Sequence, residues 1–217
     1  MSSLTIPVQT ASISISLLAA GGIATLSLFD IPQAQAQPAS RTLPAIRWLF
    51  SRGSHIFPTT AFVSAAGFTY LAINALPQGR ALTSILSLVS NGSKVNGYLA
   101  AAALNFGIGP FTALAMVPNN FALIEMNEKK GGARSEKSAK EGQFSAGSRS
   151  ADDSVGGKGD VSQFADLSGP QSKTAQDSTT EEDEKVQAML GKFGRQNAVR
   201  AILGSVGGIV GVVAALS

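Results

Sequence analysis

Four apolar runs without a charged residue constrain the fold of this chain more than any other feature. They cover residues 13–29, 56–79, 95–124 and 201–217. A helix rises about 1.5 Å per residue, so roughly 20 residues cross the hydrocarbon core of a bilayer. The fourth run is the shortest, and it spans a bilayer if its helix begins a few residues earlier and Arg200 snorkels. The sequence therefore predicts an all-α bundle of four transmembrane helices in a lipid bilayer.

The charged residues lie mostly outside these runs. Of the 17 basic and 14 acidic residues, 24 fall between residues 125 and 195. The rest of the chain has too few charges for the surface of a soluble domain, which argues against a soluble enzyme. The net charge of +3 comes without a basic stripe. We therefore expect no nucleic acid as a partner.

Sequence motifs for metals and cofactors are absent. The chain has no cysteine, which removes disulfides, thiolate catalysis and cysteine-ligated metals. Its single histidine allows no multi-histidine metal site. Neither a phosphate-binding glycine loop nor a nucleophile elbow occurs. We therefore expect neither a metal nor a bound cofactor.

The sequence divides into three regions. Residues 1–124 hold transmembrane helices 1–3. Residues 125–180 mix glycine, serine and both signs of charge without apolar periodicity, so we expect a long disordered loop between helices 3 and 4 that the fold does not need. Thr179 and Glu182 have capping-box spacing, and an amphipathic pattern follows them. Residues 181–217 are therefore predicted to form an amphipathic helix that leads into transmembrane helix 4.

The first run has a second interpretation as a cleaved signal peptide, because the small residues Ala34 and Ala36 follow it. Signal peptides carry a basic residue before the apolar stretch. This run has none, and Asp30 follows it directly. We therefore favour an uncleaved membrane helix.

Basic residues in the loops predict the orientation. The first loop carries Arg41, Arg47 and Arg52, the second carries Arg80 and Lys94, and further lysines and arginines flank the third. The positive-inside rule then places loops one and three in the cytoplasm and both termini on the opposite side.

Glycines four residues apart recur in the fourth run. Gly204 and Gly208 form one such pair, and Gly207 and Gly211 form another. Small residues at this spacing let helix backbones approach closely in membranes. We interpret them as a packing face rather than as a ligand site.

Polar side chains stand at three span ends that this orientation puts on the cytoplasmic face. They are His55 before the second span, Asn119 and Asn120 at the end of the third, and Gln196, Asn197 and Arg200 before the fourth. Polar groups at membrane depth are costly unless satisfied, and they often mark a site. Taken singly, each has a simpler explanation as an interfacial anchor, a helix cap or a snorkelling cation.

Three sequence blocks contain these residues. They are Arg47-Trp48 to Gly53 with the following Pro58, then residues 109–123 with the letters GPFT and MVPNN, then residues 195–201 with the letters RQNAVRA. In this order they resemble the fungal anthrone oxygenase-like family of small four-helix integral membrane proteins, whose members are typical of aromatic polyketide pathways. The family usually has threonine where this chain has Asn119.

The resemblance implies an activity, the oxidation of an anthrone to an anthraquinone with dioxygen as co-substrate and no bound cofactor. The substrate is then an apolar aromatic small molecule. Other enzymes of a polyketide pathway for secondary metabolites, such as mycotoxins, are the expected protein partners. An endomembrane is the expected location of this multi-pass protein.

The resemblance also implies roles for individual residues. His55 would be the general base, because a histidine side chain exchanges protons near neutral pH. Asn120, Asn197 and Arg200 would donate hydrogen bonds to the oxyanion that develops. The residues implied for substrate binding are Trp48, Arg52, Phe57, Phe111, Thr112 and Asn119.

Two other function classes remain open. A non-catalytic membrane scaffold or assembly factor for a partner enzyme would use residues 125–180, the polar insertion, to recruit that enzyme. A small transporter is disfavoured, because no ionisable residue other than Arg200 lies within the spans and no inverted repeat is visible. Quinone formation by membranes that contain the protein separates the enzyme from both alternatives.

Overall fold

The computed structural model describes residues 4–77, 79, 82–87, 91–142, 147–157, 160–161 and 164–217. Within these ranges the regular secondary structure is helical throughout. The α-helices are α1 (Thr5–Thr25), α2 (Ile31–Gln35), α3 (Ala39–Asn74), α4 (Ser93–Phe111), α5 (Val117–Lys129), α6 (Glu136–Glu141), α7 (Ala151–Gly156) and α8 (Thr180–Leu216). Two π-helical turns, Leu26–Asp30 and Thr112–Met116, join α1 to α2 and α4 to α5, and a 3₁₀ turn covers Leu82–Leu86.

Four helical stretches are long and apolar enough to cross a membrane. They are Thr5–Gln35, Ala39–Asn74, Ser93–Lys129 and Thr180–Leu216. The predicted four membrane helices are confirmed, and the protein is a multi-pass integral membrane protein. The second stretch begins at Ala39, so the arginines that the sequence put in the first loop lie on a helix instead. Leu43 and Ile46 are buried there, which gives this part of α3 an apolar face of its own.

The described contacts divide the chain into two units. The bundle unit comprises Met1–Thr25, Phe57–Ala113 and Asn197–Ser217. The polar unit comprises Leu26–Ile56 and Leu114–Gln196, and it holds nearly all of the charged residues.

The bundle unit has a packed interior and an apolar outer surface. Its main cluster includes Phe68 of α3, Tyr98 of α4 and Ala214 of α8. Large apolar side chains point outwards, and Leu18, Phe62, Ile202 and Val213 are each more than half exposed. Soluble proteins rarely expose so much contiguous apolar surface, whereas lipid covers it in a membrane.

The glycine face of α8 packs against its neighbours in the bundle unit. A Cβ atom at Gly207 would lie 2.5 Å from the amide nitrogen of Asn105 on α4. A Cβ atom at Gly211 would lie 2.5 Å from the ring of Phe68 on α3, and one at Gly204 would come within 3.1 Å of α1. A distance of 2.5 Å is too short for a Cβ contact and 3.1 Å is tight, so the absence of a Cβ atom is what lets these helices meet.

The polar insertion differs from its sequence prediction. A disordered loop is expected over residues 125–180, but the structure does not show one, because α6 and α7 form within it. Ser135 and Ser150 precede these two helices, and each hydroxyl oxygen accepts a hydrogen bond from the backbone N–H three residues later. Such N-caps satisfy the free N–H groups at a helix start. Parts of the expected loop, residues 143–146, 158–159 and 162–163, lie outside the described residues.

Buried charges hold the insertion together inside the polar unit. Arg149 donates to Glu128 at 2.9 Å and to Asp160 at 3.0 Å, and all three side chains are at most 5% exposed. Burial alone would lower the pKa of Arg149, but hydrogen bonds and charges from both carboxylates outweigh burial and raise the pKa. Arg47 of α3 donates to the carbonyl oxygen of Ser154 on α7 at 2.8 Å. These buried charges of the segment are therefore paired or hydrogen-bonded rather than solvated.

The start of α8 has the expected capping box. The backbone N–H of Thr179 donates to the Glu182 carboxylate at 2.8 Å, and the N–H of Glu182 donates to the Thr179 hydroxyl oxygen at 3.3 Å. Val186, Leu190 and Phe193 then bury one face of the helix in the polar unit. The helix continues without a break to Leu216.

Candidate functional site

A buried cation lies over an aromatic ring in the bundle unit. Arg200 of α8 is 7% exposed, and its guanidinium carbon lies 5.8 Å from the centroid of the Phe57 ring on α3. Its Nη1 donates to Oδ1 of Asn197 at 3.0 Å. Asn197 is fully buried, and its Nδ2 has no hydrogen-bond partner among the described residues. We call Phe57, Asn197 and Arg200 the arginine cluster.

A second buried polar group lies in the same unit. The Oγ of Ser16 on α1 is 2.8 Å from Oδ1 of Asn105 on α4 and 2.9 Å from the carbonyl oxygen of Gly204 on α8. Both side chains are at most 2% exposed. The Nδ2 of Asn105 donates to a carbonyl oxygen of its own helix at 2.9 Å. The sequence analysis missed this pair, although an amide inside a charge-free span is a signal that could have found Asn105.

A small, partly enclosed cavity of about 10 Å³ lies beside this pair. Ser16 and Asn105 form part of its wall, and Ala61 and Ile108 form apolar parts of it. Phe57 belongs both to this wall and to the arginine cluster. The cavity therefore borders the buried cation through one shared aromatic ring.

Prolines interrupt the motif at the end of the third span. Pro110 and Pro118 have no backbone N–H, and they stand on either side of the π turn Thr112–Met116. The hydroxyl of Thr112 donates to the carbonyl oxygen four residues earlier at 2.7 Å. Phe111, just before the turn, is half-buried. π turns within longer helices frequently occur at functional sites.

Amide side chains in the polar unit connect α8 to the same motif. Gln196 Nε2 donates to the carbonyl oxygen of Ala115 in the π turn at 2.7 Å. Asn119 Nδ2 donates to the carbonyl oxygen of Met189 at 3.2 Å, so this position joins two helices. Asn120 is half-buried, and its Oδ1 has no hydrogen-bond partner among the described residues.

Trp48 and Arg52 form a stacked pair in the polar unit. The guanidinium carbon of Arg52 lies 5.5 Å from the centre of the Trp48 ring. The indole N–H of Trp48 donates to the carbonyl oxygen of Ser168 at 2.9 Å, and Arg52 donates to the carbonyl oxygen of Asp166. Asp166 also accepts a hydrogen bond from Ser135. The pair therefore anchors the end of the insertion to α3.

His55 lies near the end of the part of α3 that belongs to the polar unit. The imidazole is half-buried, and its ring centroid is 4.7 Å from that of Phe164. The two ring planes are tilted by 42°. The expected base is therefore next to an aromatic residue of the insertion.

The structure groups only some of the residues that the sequence singled out. Phe57, Asn197 and Arg200 meet in the arginine cluster, and Trp48 pairs with Arg52. Of the other proposed site residues, His55, Thr112 and Asn119 make local contacts of their own, and Phe111 and Asn120 are half-buried. Among the described residues, no three His, Cys, Asp or Glu side chains are grouped to hold a metal ion.

These features define a small multi-pass membrane protein with buried polar side chains and a cavity inside its helical bundle unit. The family model described as anthrone oxygenase matches residues 47–149. This part of the chain is therefore similar to the anthrone oxygenase family, and the four apolar helices fit a small membrane protein of that family. The match includes Phe57 and ends before Asn197 and Arg200. No curated protein and no solved structure matches the chain.

Proposed function

We propose that this protein oxidises an anthrone to an anthraquinone with dioxygen as co-substrate and without a bound cofactor, as a step of aromatic polyketide biosynthesis. The match of residues 47–149 to the anthrone oxygenase family carries the proposal. The four membrane helices support it, because a planar apolar substrate partitions into a bilayer. Enzymes that make or consume polyketide rings are the proposed partners.

The reaction balances without an added reductant. Loss of one proton from the anthrone methylene gives a carbanion that is stabilised as an aromatic phenolate. This anion gives its electrons to dioxygen and forms a carbon-bound peroxide. Loss of the remaining proton from that carbon breaks the O–O bond, forms the carbonyl and releases hydroxide, which becomes water. One oxygen atom thus enters the quinone and the other enters water.

This chemistry needs a base and hydrogen-bond donors. We assign the base role to His55, because a histidine accepts a proton near neutral pH. We assign Arg200 and Asn197 as donors to the oxyanion, because both are buried and the Nδ2 of Asn197 is unpaired among the described residues. One such donor is typically worth about 3 kcal/mol in the transition state. Asn120 is the third donor that we propose.

Phe57 is the residue with the best case for contacting the substrate rings, because it lies under the guanidinium of Arg200. The other residues proposed for binding are Trp48, Arg52, Phe111, Thr112 and Asn119. Phe111 has no polar side-chain atom. The side chains of the other four residues donate hydrogen bonds to backbone carbonyl oxygens of the chain itself. We therefore propose that these side chains stabilise the local fold rather than donate hydrogen bonds to the substrate.

Membranes that contain the protein test the function. Supplied with a hydroxylated anthrone and air, they should form quinone faster than membranes without the protein. In isotopically labelled dioxygen, one labelled atom should appear in the quinone and one in water. Chelators should not change the rate. A rate no higher than that of empty membranes would contradict the oxygenase function and favour the scaffold.

A further inference from the structure

A groove on the outer surface of the bundle unit is far larger than the enclosed cavity beside Ser16 and Asn105. Residues of α3 and α4 line this groove, and its volume is about 400 Å³. Small-molecule sites in proteins typically have volumes of about 300–1,000 Å³. The enclosed cavity of about 10 Å³ is close to the smallest that holds one water. The larger space, which we call the α3–α4 groove, has room for a molecule with three fused rings.

Alanine side chains form most of the groove wall. Ala65 and Ala102 are buried in it, and Ala66 and Ala103 are exposed. An alanine side chain has no rotamers, so this wall is rigid before a ligand binds. A rigid planar molecule loses little conformational entropy against such a wall, whereas a flexible acyl chain must first be ordered. The wall therefore favours fused rings over a lipid chain.

Two phenylalanine rings also line the groove. The ring centroids of Phe62 on α3 and Phe106 on α4 are 5.9 Å apart, and the ring planes meet edge to face at 67°. Both side chains are more than half exposed, so the rings are open to a ligand. Aromatic rings attract one another in edge-to-face and offset-stacked arrangements. An aromatic ligand therefore makes contacts here that a saturated chain cannot make.

Of the described residues that line the groove, Thr69 alone has a polar side chain. Its hydroxyl donates to the carbonyl oxygen of Ala65 at 2.8 Å. The hydroxyl oxygen keeps lone pairs that can accept a hydrogen bond from a phenolic O–H. Thr69 follows Phe62 by seven residues on α3, which is about 10 Å along the helix axis. The groove therefore suits fused aromatic rings that carry a hydroxyl group.

We propose that the α3–α4 groove binds a hydroxylated anthrone directly from the bilayer. The inference rests on the proposed function and names the place where its substrate first meets the protein. The rings lie on the alanine wall against Phe62 and Phe106, and the hydroxyl group donates to Thr69. Phe62 follows Phe57 by five residues, about 7.5 Å along α3, so the phenylalanine end of the groove is the end nearer to the arginine cluster.

Methyl NMR tests binding without catalysis. The probe is a hydroxylated anthraquinone, the stable product of the proposed reaction, added to the protein in lipid nanodiscs. Its ring current should shift the methyl signals of Ala66 and Ala103 until the groove is saturated. Ala11 of α1 is the control, because it is also exposed but lies outside the groove. Equal shifts at all three would show a probe merely dissolved in lipid and would overturn the proposal, as would no shift at all.

A matched pair of variants tests the location. Ala66→Leu fills part of the groove and should weaken binding of the probe several-fold. Ala11→Leu makes the same change at the exposed control position and should leave binding unchanged. Thermal unfolding checks that both variants are folded, and Ala103→Leu replaces Ala66→Leu if the latter is not. Unchanged affinity in a folded groove variant would overturn the proposal.

A second pair of variants tests the hydroxyl contact. Thr69→Val keeps the shape but removes the acceptor, so the hydroxylated probe should bind several-fold more weakly, while unsubstituted anthraquinone should bind as before. Thr25→Val is the control and should change neither. The Thr25 hydroxyl likewise donates one turn back, to the carbonyl oxygen of Gly21 at 3.0 Å, from an exposed position outside the groove. Full affinity of Thr69→Val for the hydroxylated probe would overturn the role of Thr69.

Steady-state kinetics test whether the groove supplies the reaction. Ala66→Leu should raise the KM for the anthrone several-fold and leave kcat nearly unchanged, whereas Ala11→Leu should change neither. An unchanged KM in folded Ala66→Leu would overturn the role of the groove in the reaction. If even the wild-type protein forms no quinone, the proposed function fails, while the NMR comparison still decides whether the groove binds fused aromatic rings.

Discussion

The guanidinium carbon of Arg200 lies 5.8 Å from the centroid of the Phe57 ring. Phe57 falls within the segment that matches the anthrone oxygenase family, and Arg200 lies beyond it on the last membrane helix. A cation over an aromatic ring in a desolvated site is stabilised by about 2 kcal/mol. The contact therefore joins the segment that matches the family model to α8. It holds the guanidinium of Arg200 at a defined place inside the bundle unit.

Replacing Arg200 with glutamine should lower the rate of quinone formation by about 10²-fold, because loss of one oxyanion donor costs about 3 kcal/mol. Arg200→Lys keeps the charge but not the planar guanidinium, so it should recover only part of the rate. The measurement is quinone formed per mole of folded protein in membranes. Arg195→Gln, at an exposed position on the same helix, is the control and should keep the full rate. A fully active Arg200→Gln would contradict the oxyanion role.

Replacing His55 with phenylalanine separates its chemistry from its packing. The variant keeps a ring against Phe164 but cannot accept a proton, so the rate at neutral pH should fall by roughly 10²-fold. His55→Gln should be similarly impaired. The pH profile of kcat/KM should show partial recovery of both variants at high pH, because hydroxide then ionises the anthrone directly. If His55→Phe keeps the wild-type rate, His55 is a packing contact, and Asp30 and Glu125 become the next candidate bases.

Replacing Arg149 with methionine should destabilise the polar unit. Glu128 and Asp160 would remain buried without their cation, and breaking a buried pair typically costs about 3–5 kcal/mol. The loss should appear as a lower unfolding temperature and as faster protease cleavage within residues 131–174. Lys140→Met is the control, because its ion pair with Glu136 is exposed and should contribute little. Equal stability of the two variants would favour the disordered loop that the sequence predicts.

Acid should weaken the polar unit through Asp160. Burial raises the pKa of Asp160, but hydrogen bonds from Ser138 and Arg149 outweigh it and hold the pKa below its usual value. A carboxyl group with a lowered pKa in the folded state stabilises the fold above the unfolded-state pKa of about 3.9, and this contribution is lost as the pH falls further. Thermal unfolding between neutral pH and pH 3 should therefore be less pH-dependent in Asp160→Asn than in the wild type. Asp152→Asn, at an exposed position, should behave like the wild type.

Replacing Gly211 with alanine should destabilise the bundle unit, because the new Cβ would lie 2.5 Å from the fully buried ring of Phe68. Overpacking of this kind typically costs about 1–3 kcal/mol. Gly21→Ala is the matched control, since its Cβ would meet no atom within 4 Å. Alanine also favours a helix over glycine, so the control should be neutral or slightly stabilising. Thermal unfolding in detergent measures both, and an unchanged Gly211→Ala would show that α8 and α3 pack less closely there.

The membrane helices could be predicted from the sequence because a bilayer excludes charge along about 20 residues. The residues at which these helices begin and end could not be predicted from the sequence. The sequence leaves Arg47 in a loop, but in the structure it is on α3, buried, and donates to Ser154 of the insertion. From the sequence alone, a charged residue is expected to be solvated unless its partner is known. The partner of Arg47 is Ser154, which lies about a hundred positions further along the chain.

The candidate site was only partly predictable for the same reason. Asn197 and Arg200 stand out in the sequence as polar residues at the start of a span, and Phe57 enters through the family resemblance. That these three side chains meet depends on how α3 and α8 pack. Ser16 carries no local signal at all, because serine is common in membrane helices and only its contact with Asn105 sets it apart.

By itself the sequence determined the four spans, the resemblance to the anthrone oxygenase family, and the glycine face of α8. All three depend on the types and the spacing of residues within a short segment. The thickness of the bilayer and the geometry of the helix relate such a local pattern directly to structure. The tertiary structure alone decided which buried polar groups pair: Arg149 with Glu128 and Asp160, Ser16 with Asn105, and Arg200 with Phe57 over the cavity wall. The residues of each pair lie on helices or segments that are far apart in the sequence. Tertiary packing brings them together, and no local sequence pattern specifies that packing.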